Sequence, residues 1–425
     1  MPSDRRYGSR WARLVPVAFI TYSLAYVDRA NYSIGSAAGL AKDLHITGNA
    51  DALLGALFFL GYFFFQIPGA WYAERRSAKR LIFWSLLLWG VLASLIGLIS
   101  NLYALYLVRF LLGVAESVVL PGMLIFLSHW FTKAERSRAN AFLILGNPVT
   151  VLWMSIVSGY LVHAVGWRGM FIAEGLPAVL WGFVWLLVAQ DDPAQARWLA
   201  PEEREALQAR LAEEQRALRP VRNYREAFRS PPVILLALQY LCWSVGVYGF
   251  VIWLPSMLKA GGTIGIVEVG WLSAAPYLLA TLLMIAASQL SDARGRRRPF
   301  VWPFLVVGAL AFLGSYLLGR SSFWPGYVLL VIAGGAMYAP YGPFFAWIAE
   351  SLPRNVAGGA IALINSCGAL GSFVGSYAVG WLNAATGGPS LSFLAMAAAL
   401  LLSGLLTLTV RERQEPRPQA TVSSL

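Results

Sequence analysis

The stretch Gly69-Ala70-Trp71-Tyr72-Ala73-Glu74-Arg75-Arg76-Ser77-Ala78-Lys79-Arg80 returns later in altered form as Ser288-Gln289-Leu290-Ser291-Asp292-Ala293-Arg294-Gly295-Arg296-Arg297-Arg298. Each copy closes an apolar run, sets an acid at its end (Glu74, Asp292) and crowds bases into the turn before the next run. The first copy follows the second apolar run of the chain and the other follows the eighth. An echo at matching places in two sets of six predicts a duplicated helical unit with a binding site between the copies.

Working outward, the runs are read as twelve spans: 11–38, 52–73, 81–99, 103–128, 139–163 and 168–189, then 231–258, 268–290, 299–318, 323–349, 357–382 and 388–410. A helix needs about 20 apolar residues to cross the ~30 Å hydrocarbon core, and these runs lack the alternation of barrel strands. The 425 residues are 58% hydrophobic and 13% charged, about half the charge of a soluble domain. Mean hydropathy is +0.61. The fold class expected is an all-α integral membrane protein with twelve transmembrane helices in two six-helix pseudo-repeats. The expected domains are a bundle over 1–189, a linker over 190–230, a second bundle over 231–410 and a polar, disordered tail over 411–425. The start of the chain has arginines ahead of an apolar run, as a signal peptide would. That run is too long for an h-region and holds Asp28-Arg29, so it reads as the first span.

The net charge of +12 invites a nucleic-acid reading. The bases sit instead in short loops on one side: Arg75, Arg76, Lys79 and Arg80; Lys133, Arg136 and Arg138; Arg294, Arg296, Arg297 and Arg298; Arg354; Arg411 and Arg413. Loops on the other side carry about one base each (Lys42, Arg168, Lys259, Arg320). The positive-inside rule then places both termini and the linker in the cytoplasm, with the bilayer as the partner and no nucleic acid. Within the linker, Pro201–Leu211 puts acids after a proline and leucines four apart, an amphipathic helix read as solvated rather than docked. Cys242 and Cys367 lie in apolar runs and imply no disulfide; His45, His129 and His163 have no metal-ligand spacing; no Walker sequence is present. The chain is therefore read as no enzyme, with no cofactor beyond a coupling proton and no obligatory protein partner.

Chemistry is expected in the interior. Ser23-Leu24-Ala25-Tyr26-Val27-Asp28-Arg29-Ala30-Asn31-Tyr32-Ser33 sets an acid beside a base at hydrocarbon depth, where an unshielded charge costs about 2.5–3.5 kcal/mol. Span four adds Arg109 and Glu116, seven residues apart on one helix face and ~10 Å apart along the axis. Counting from the span ends, Asp28 and Arg109 fall at similar depth and are expected to pair, leaving Arg29 and Glu116 to engage solute and proton. Two acids and two bases are neutral together, and protonating either acid creates a site for one carboxylate. Two purely structural salt bridges are the competing reading, weakened by the desolvation cost of dry ion pairs. Gly146-Asn147-Pro148 is expected to break span five. The glycines of span eleven (Gly358, Gly359, Gly368, Gly371, Gly375, Gly380) suit close helix packing. Glu174 is assigned to a capping network without a transport role.

The loop Gly69–Arg80 resembles the loop between the second and third helices of the major facilitator superfamily, with Ser77 where a glycine is usual; the second copy keeps Gly295. Tyr26-Val27-Asp28-Arg29-Ala30-Asn31, Gln66-Ile67-Pro68-Gly69 and Gly113-Val114-Ala115-Glu116 are similar to its anion:cation symporter branch, which includes proton-coupled sugar-acid carriers of the galactonate type. Leu54–Ala70 and Ala141–Gly159 resemble bacterial 2-ketogluconate transporters. The resemblance spans the chain. It implies that Asp28 and Glu116 carry protons, that Arg29 meets the substrate carboxylate, and that Tyr26 and Tyr62 line the site. Asn147 stands in place of a glutamine, Asn365 matches an asparagine, and Phe345 replaces a tryptophan. Arg109 belongs to the charge network. Tyr248, Trp253 and Tyr341 are further candidates for the lining, although belts and packing use the same residue types. Gly69, Glu74, Arg75, Lys79, Arg80, Asp292, Gly295 and Arg296 are the gating-loop positions. The expected function is import of a hexonate-type anion, 2-ketogluconate foremost, by proton symport through alternating access. The alternatives are a proton-coupled exporter of amphipathic compounds and a membrane anion sensor.

Overall fold

The computed structural model of the chain describes residues 8–216, 231–260, 264–319, 322–351 and 357–410. The regular structure of these residues is helical throughout, the form in which a chain satisfies its own backbone groups in lipid. Ten helices are long and apolar enough to cross a membrane. One of them, Arg138–Val188, has 51 residues, ~75 Å at 1.5 Å per residue and far more than one bilayer requires. It breaks at Gly166 (φ 71°, ψ 171°), backbone that is essentially open to glycine alone, and so contains spans five and six. Gly8–Ala37 is outside those ten because Arg10, Arg13, Asp28 and Arg29 lower its hydropathy. Its thirty residues make the polar first span. The twelve spans of the sequence reading are recovered.

Helix pairing repeats between the halves. Span two packs on four, three on four and six, and span one on the five–six helix. In the second half, eight packs on ten, nine on ten and twelve, and seven on eleven. The halves meet through two against eleven and five against eight, contacts that the repeat exchanges, and through one against seven. Spans two and four touch backbone to backbone: a Cβ on Gly113 would lie 1.9 Å from the Phe58 carbonyl oxygen, and one on Gly61 2.2 Å from that of Phe110. Gly371 and Gly375 of span eleven approach the Leu241 and Val245 carbonyls equally closely, as the small-residue spacing predicts.

Two expectations are corrected. Span five runs unbroken through Gly146-Asn147-Pro148; the break comes at Gly166. Neighbouring helices can re-satisfy the backbone group that a proline frees in a membrane helix. The linker is also docked rather than solvated along its start. Trp198 stacks on Trp130 (ring centroids 5.5 Å), Arg13 lies over Trp198, and Leu199 and Leu207 are buried. Arg10 donates to the Trp130 carbonyl (2.9 Å) and pairs with Glu135 (3.3 Å) and with Glu203 of the linker helix Pro201–Arg216 (3.5 Å). Aromatic stacking and a buried guanidinium outweigh the solvation of a helix whose other faces stay exposed. The tail 411–425 and Arg320, Arg354, Arg411 and Arg413 lie outside the described residues.

Candidate functional site

Span one places Asp28 and Arg29 on adjacent faces, and the close approach of spans two and four carries Arg109 and Glu116 towards them. All four are buried, at 1%, 6%, 1% and 0% exposure. Arg29 donates from Nε and Nη2 to Glu116 Oε2 at 3.2 and 3.3 Å. Its guanidinium carbon stands 4.5 Å from the Tyr26 ring centroid, 4.7 Å from Tyr62 and 5.3 Å from Phe58. The aromatic cage holds the cation by its ring faces and leaves the fork aimed at a carboxylate. Phe58 was absent from the sequence reading; its position one turn before Tyr62 was the available signal. Glu116 Oε1 is buried without a partner.

Asp28 and Arg109 do not form the expected ion pair. Arg109 donates to the carbonyls of Leu54 (3.3 Å) and Gly55 (3.4 Å) and lies 4.4 Å from the Tyr32 ring centroid. The glycine contact between spans two and four brings those carbonyls within its reach before Asp28. Asp28 instead accepts from Asn31 Nδ2 at 3.2 Å. A further buried acid, Asp51, opens span two with both carboxylate oxygens occupied, by Tyr32 (2.8 Å) and Ser36 (2.9 Å).

The remaining candidates divide by half. Tyr26 shares a hydroxyl contact with Tyr22 (3.0 Å), and Asn147 is buried with Oδ1 unpartnered. Asn365 of span eleven donates to Gln66 of span two, joining the halves beside the Arg29 cage. Tyr248 packs on Phe59 across the same junction (4.7 Å). Tyr341 and Phe345 stack on one another within a cluster that includes Tyr240, Trp243 and Phe344. Trp253 donates to the Ser376 carbonyl (2.8 Å) and rests on Gly380, a packing contact between spans seven and eleven. Glu174 is not in a cap: Ser158 of span five donates to it at 2.7 Å from across the Gly166 break.

The two loops of the repeated motif close differently. In the first, Ser77 caps the third span by accepting from Arg80 N–H (3.0 Å) and donates to Asp191, which also accepts from Lys79 N–H (2.8 Å). Gly69 lies against Val118, Arg75 covers Trp71, and Glu74 and Arg80 are exposed. In the second, Gly295 ends span eight at φ 61°, Arg296 N–H donates to Ser291 O, and Asp292 pairs with Arg297.

The family description Major Facilitator Superfamily matches residues 18–376 and, in a second match, 262–424. A protein of Agrobacterium vitis named for tartrate transport is 31% identical over 96% of this chain and 92% of its own. The quinolone resistance transporter of Acinetobacter baumannii is 29% identical over 97% of this chain and 96% of its own. Among solved structures, a D-xylose–proton symporter superposes with TM-score 0.76 at 16% identity, over 95% of this chain and 99% of that one.

Proposed function

The chain belongs to the major facilitator superfamily, and from that premise we propose that it imports a small hydroxylated carboxylate together with protons, through alternating access between its halves. The observation that carries this reading is the buried Arg29–Glu116 pair in its aromatic cage, next to the Gln66–Asn365 and Phe59–Tyr248 contacts between the halves. An arriving carboxylate takes the Arg29 fork and displaces Glu116. Two carboxylates cannot share one guanidinium without repulsion at this depth, so Glu116 takes up a proton as the anion binds. Anion and proton load together, and the loaded site carries less net charge than the empty carrier plus anion. Asp28, held by Asn31 and near Arg109, serves the return of the empty carrier.

The substrate proposed is a hexonate, with 2-ketogluconate foremost; the relative named for tartrate supports a hydroxylated organic acid of this general kind. We place both termini and the linker in the cytoplasm of a bacterial inner membrane, since the loop arginines fall on the side that carries the linker. A reporter fused after Val410 tests the placement: periplasmic activity overturns it. Purified protein in proteoliposomes under an imposed pH gradient tests the transport, ranking uptake of gluconate, 2-ketogluconate, galactonate, tartrate and an aromatic acid. Preference for the aromatic acid, or uptake indifferent to the gradient, overturns the reading. A second reading, export of flat amphipathic compounds, is favoured by the quinolone resistance relative and by the aromatic cluster around Tyr341. It requires drug movement out of energised vesicles, which the same preparation measures.

A further inference from the structure

Gln66 is a buried amide that the charge network above does not use. It is 3% exposed and sits in a span whose other faces are occupied: Gly61 and Gly69 lie against span four, and Phe59 packs on Tyr248 of the other half. Seven residues, two turns of helix, put Gln66 on the line of Phe59, and four put it on the face of Tyr62. Tyr62 looks onto Arg29, its ring centroid 4.7 Å from the guanidinium carbon. Gln66 therefore stands one turn further along the same wall, where the Arg29 cage meets the second half. Asn365 of span eleven reaches it there by donating to its Oε1, while its Nε2 is buried without a partner.

From Tyr62 to Gln66 the helix rises ~6 Å, about the carbon backbone of an extended six-carbon acid and well beyond that of a three-carbon one. Given the reading above, in which Arg29 holds the substrate carboxylate, the far end of a hexonate lies level with Gln66. The surroundings at that level are neutral. Arg109 is spent on the Leu54 and Gly55 carbonyls, ~17 Å back along the span from Gln66. The buried polar side chains of the second half, among the described residues, carry no charge. Two amides joined by one hydrogen bond still offer a ligand an N–H₂ and a carbonyl oxygen. A hydroxyl can accept from the first and donate to the second. A carboxylate can only accept, and it brings a charge with no cation to meet it at hydrocarbon depth. We propose that Gln66, together with Asn365, binds a hydroxyl at the far end of the substrate, and that this neutral end selects polyhydroxy acids of hexonate length with a single carboxylate over dicarboxylates of equal length.

Calorimetric titration of the full chain in lipid nanodiscs tests this with three probes. Gluconate is the first. Glucarate has the same backbone with a second carboxylate in place of the terminal alcohol. Glycerate keeps the first carboxylate and its neighbouring hydroxyl but is too short to reach Gln66. The wild type is expected to bind gluconate tighter than glucarate by about tenfold or more. Gln66→Met keeps the length of the side chain and removes both amide atoms. It is expected to weaken gluconate by about tenfold and to leave glycerate within about twofold. Glycerate binding by the variant also shows that it is folded and that Arg29 still takes a carboxylate. Glucarate bound as tightly as gluconate by the wild type overturns the proposal without recourse to any variant. So does gluconate binding unchanged in Gln66→Met, or a loss shared equally by glycerate. Wild-type protein that binds none of the three overturns the carboxylate reading of Arg29 as well, whereas equal affinity for glycerate and gluconate keeps that reading and removes Gln66 alone.

Discussion

The two halves share one helix pairing and differ in what they bury. The first half seals Asp28, Arg29, Arg109, Glu116 and Glu174 inside; the buried polar side chains of the second, among the described residues, are Gln239, serines and Thr407, surrounded by rings such as Tyr240, Trp243, Tyr338 and Tyr341. The same scaffold thus carries charge on one side of the junction and shape on the other. A charged interior is costly in lipid, and confining it to one half leaves the other presenting a neutral wall to the junction. Energy coupling should then be lost by changes in the first half, while changes in the second should alter which molecule fits.

The sharpest way to break this division is Glu116→Gln, expected to abolish accumulation driven by a pH gradient while preserving anion exchange, since a neutral amide imitates the loaded carrier. Gradient-driven accumulation at wild-type level would move the coupling proton elsewhere. Next comes Arg29→Lys. It keeps the charge but loses the two-pronged fork, worth about 1.5–3 kcal/mol, or ten- to a hundredfold in anion affinity. Calorimetric titration of the purified, correctly inserted variant measures it, and an unchanged affinity would remove Arg29 from the anion site. From the other half, Tyr248→Phe is expected to weaken the preferred anion by about two- to tenfold, as for one neutral hydrogen bond, without altering the number of protons moved per anion. A changed proton ratio, read with a pH dye inside the vesicles, would show that the second half shares the coupling.

The paired loops give the smallest test. Gly295→Ala forces a side chain into the left-handed region at a cost of about 1–2 kcal/mol. Ser77→Gly leaves a residue that still serves at a helix start, and the exchange itself costs only a few tenths of a kcal/mol, plus whatever the Asp191 contact adds. Thermal unfolding in detergent should rank Gly295→Ala as the more damaging; the reverse order would mean that Asp191 is the principal clasp of the first loop.

Spans and charges were legible in the sequence because hydropathy and charge are properties of consecutive residues. Asp28, Arg29, Arg109 and Glu116 stood out against an apolar background, but counting depth paired Asp28 with Arg109 and left Arg29 and Glu116, the pair that forms, to solute and proton. Arg109 did not go to Asp28 because the decisive partners were backbone carbonyls of Leu54 and Gly55, which no side-chain inventory records. The placing of Glu174 in a cap failed for a related reason: its partner Ser158 belongs to span five, and only the packed bundle brings the two together. The docking of the linker rests on Trp198 finding Trp130, a contact between distant positions that periodicity cannot show.

Gln66 and Asn365 join the halves through two neutral amides. Such a bond is worth about 0.5–1.5 kcal/mol net, so opening it slows a rearrangement by roughly a few-fold to tenfold. An arginine–carboxylate pair at the same place would hold the halves shut far longer and respond to salt. If the halves move as proposed, this amide pair adds little to the helix packing and the Lys259–Ala37 contact that also join them, and opening it costs no separation of charge.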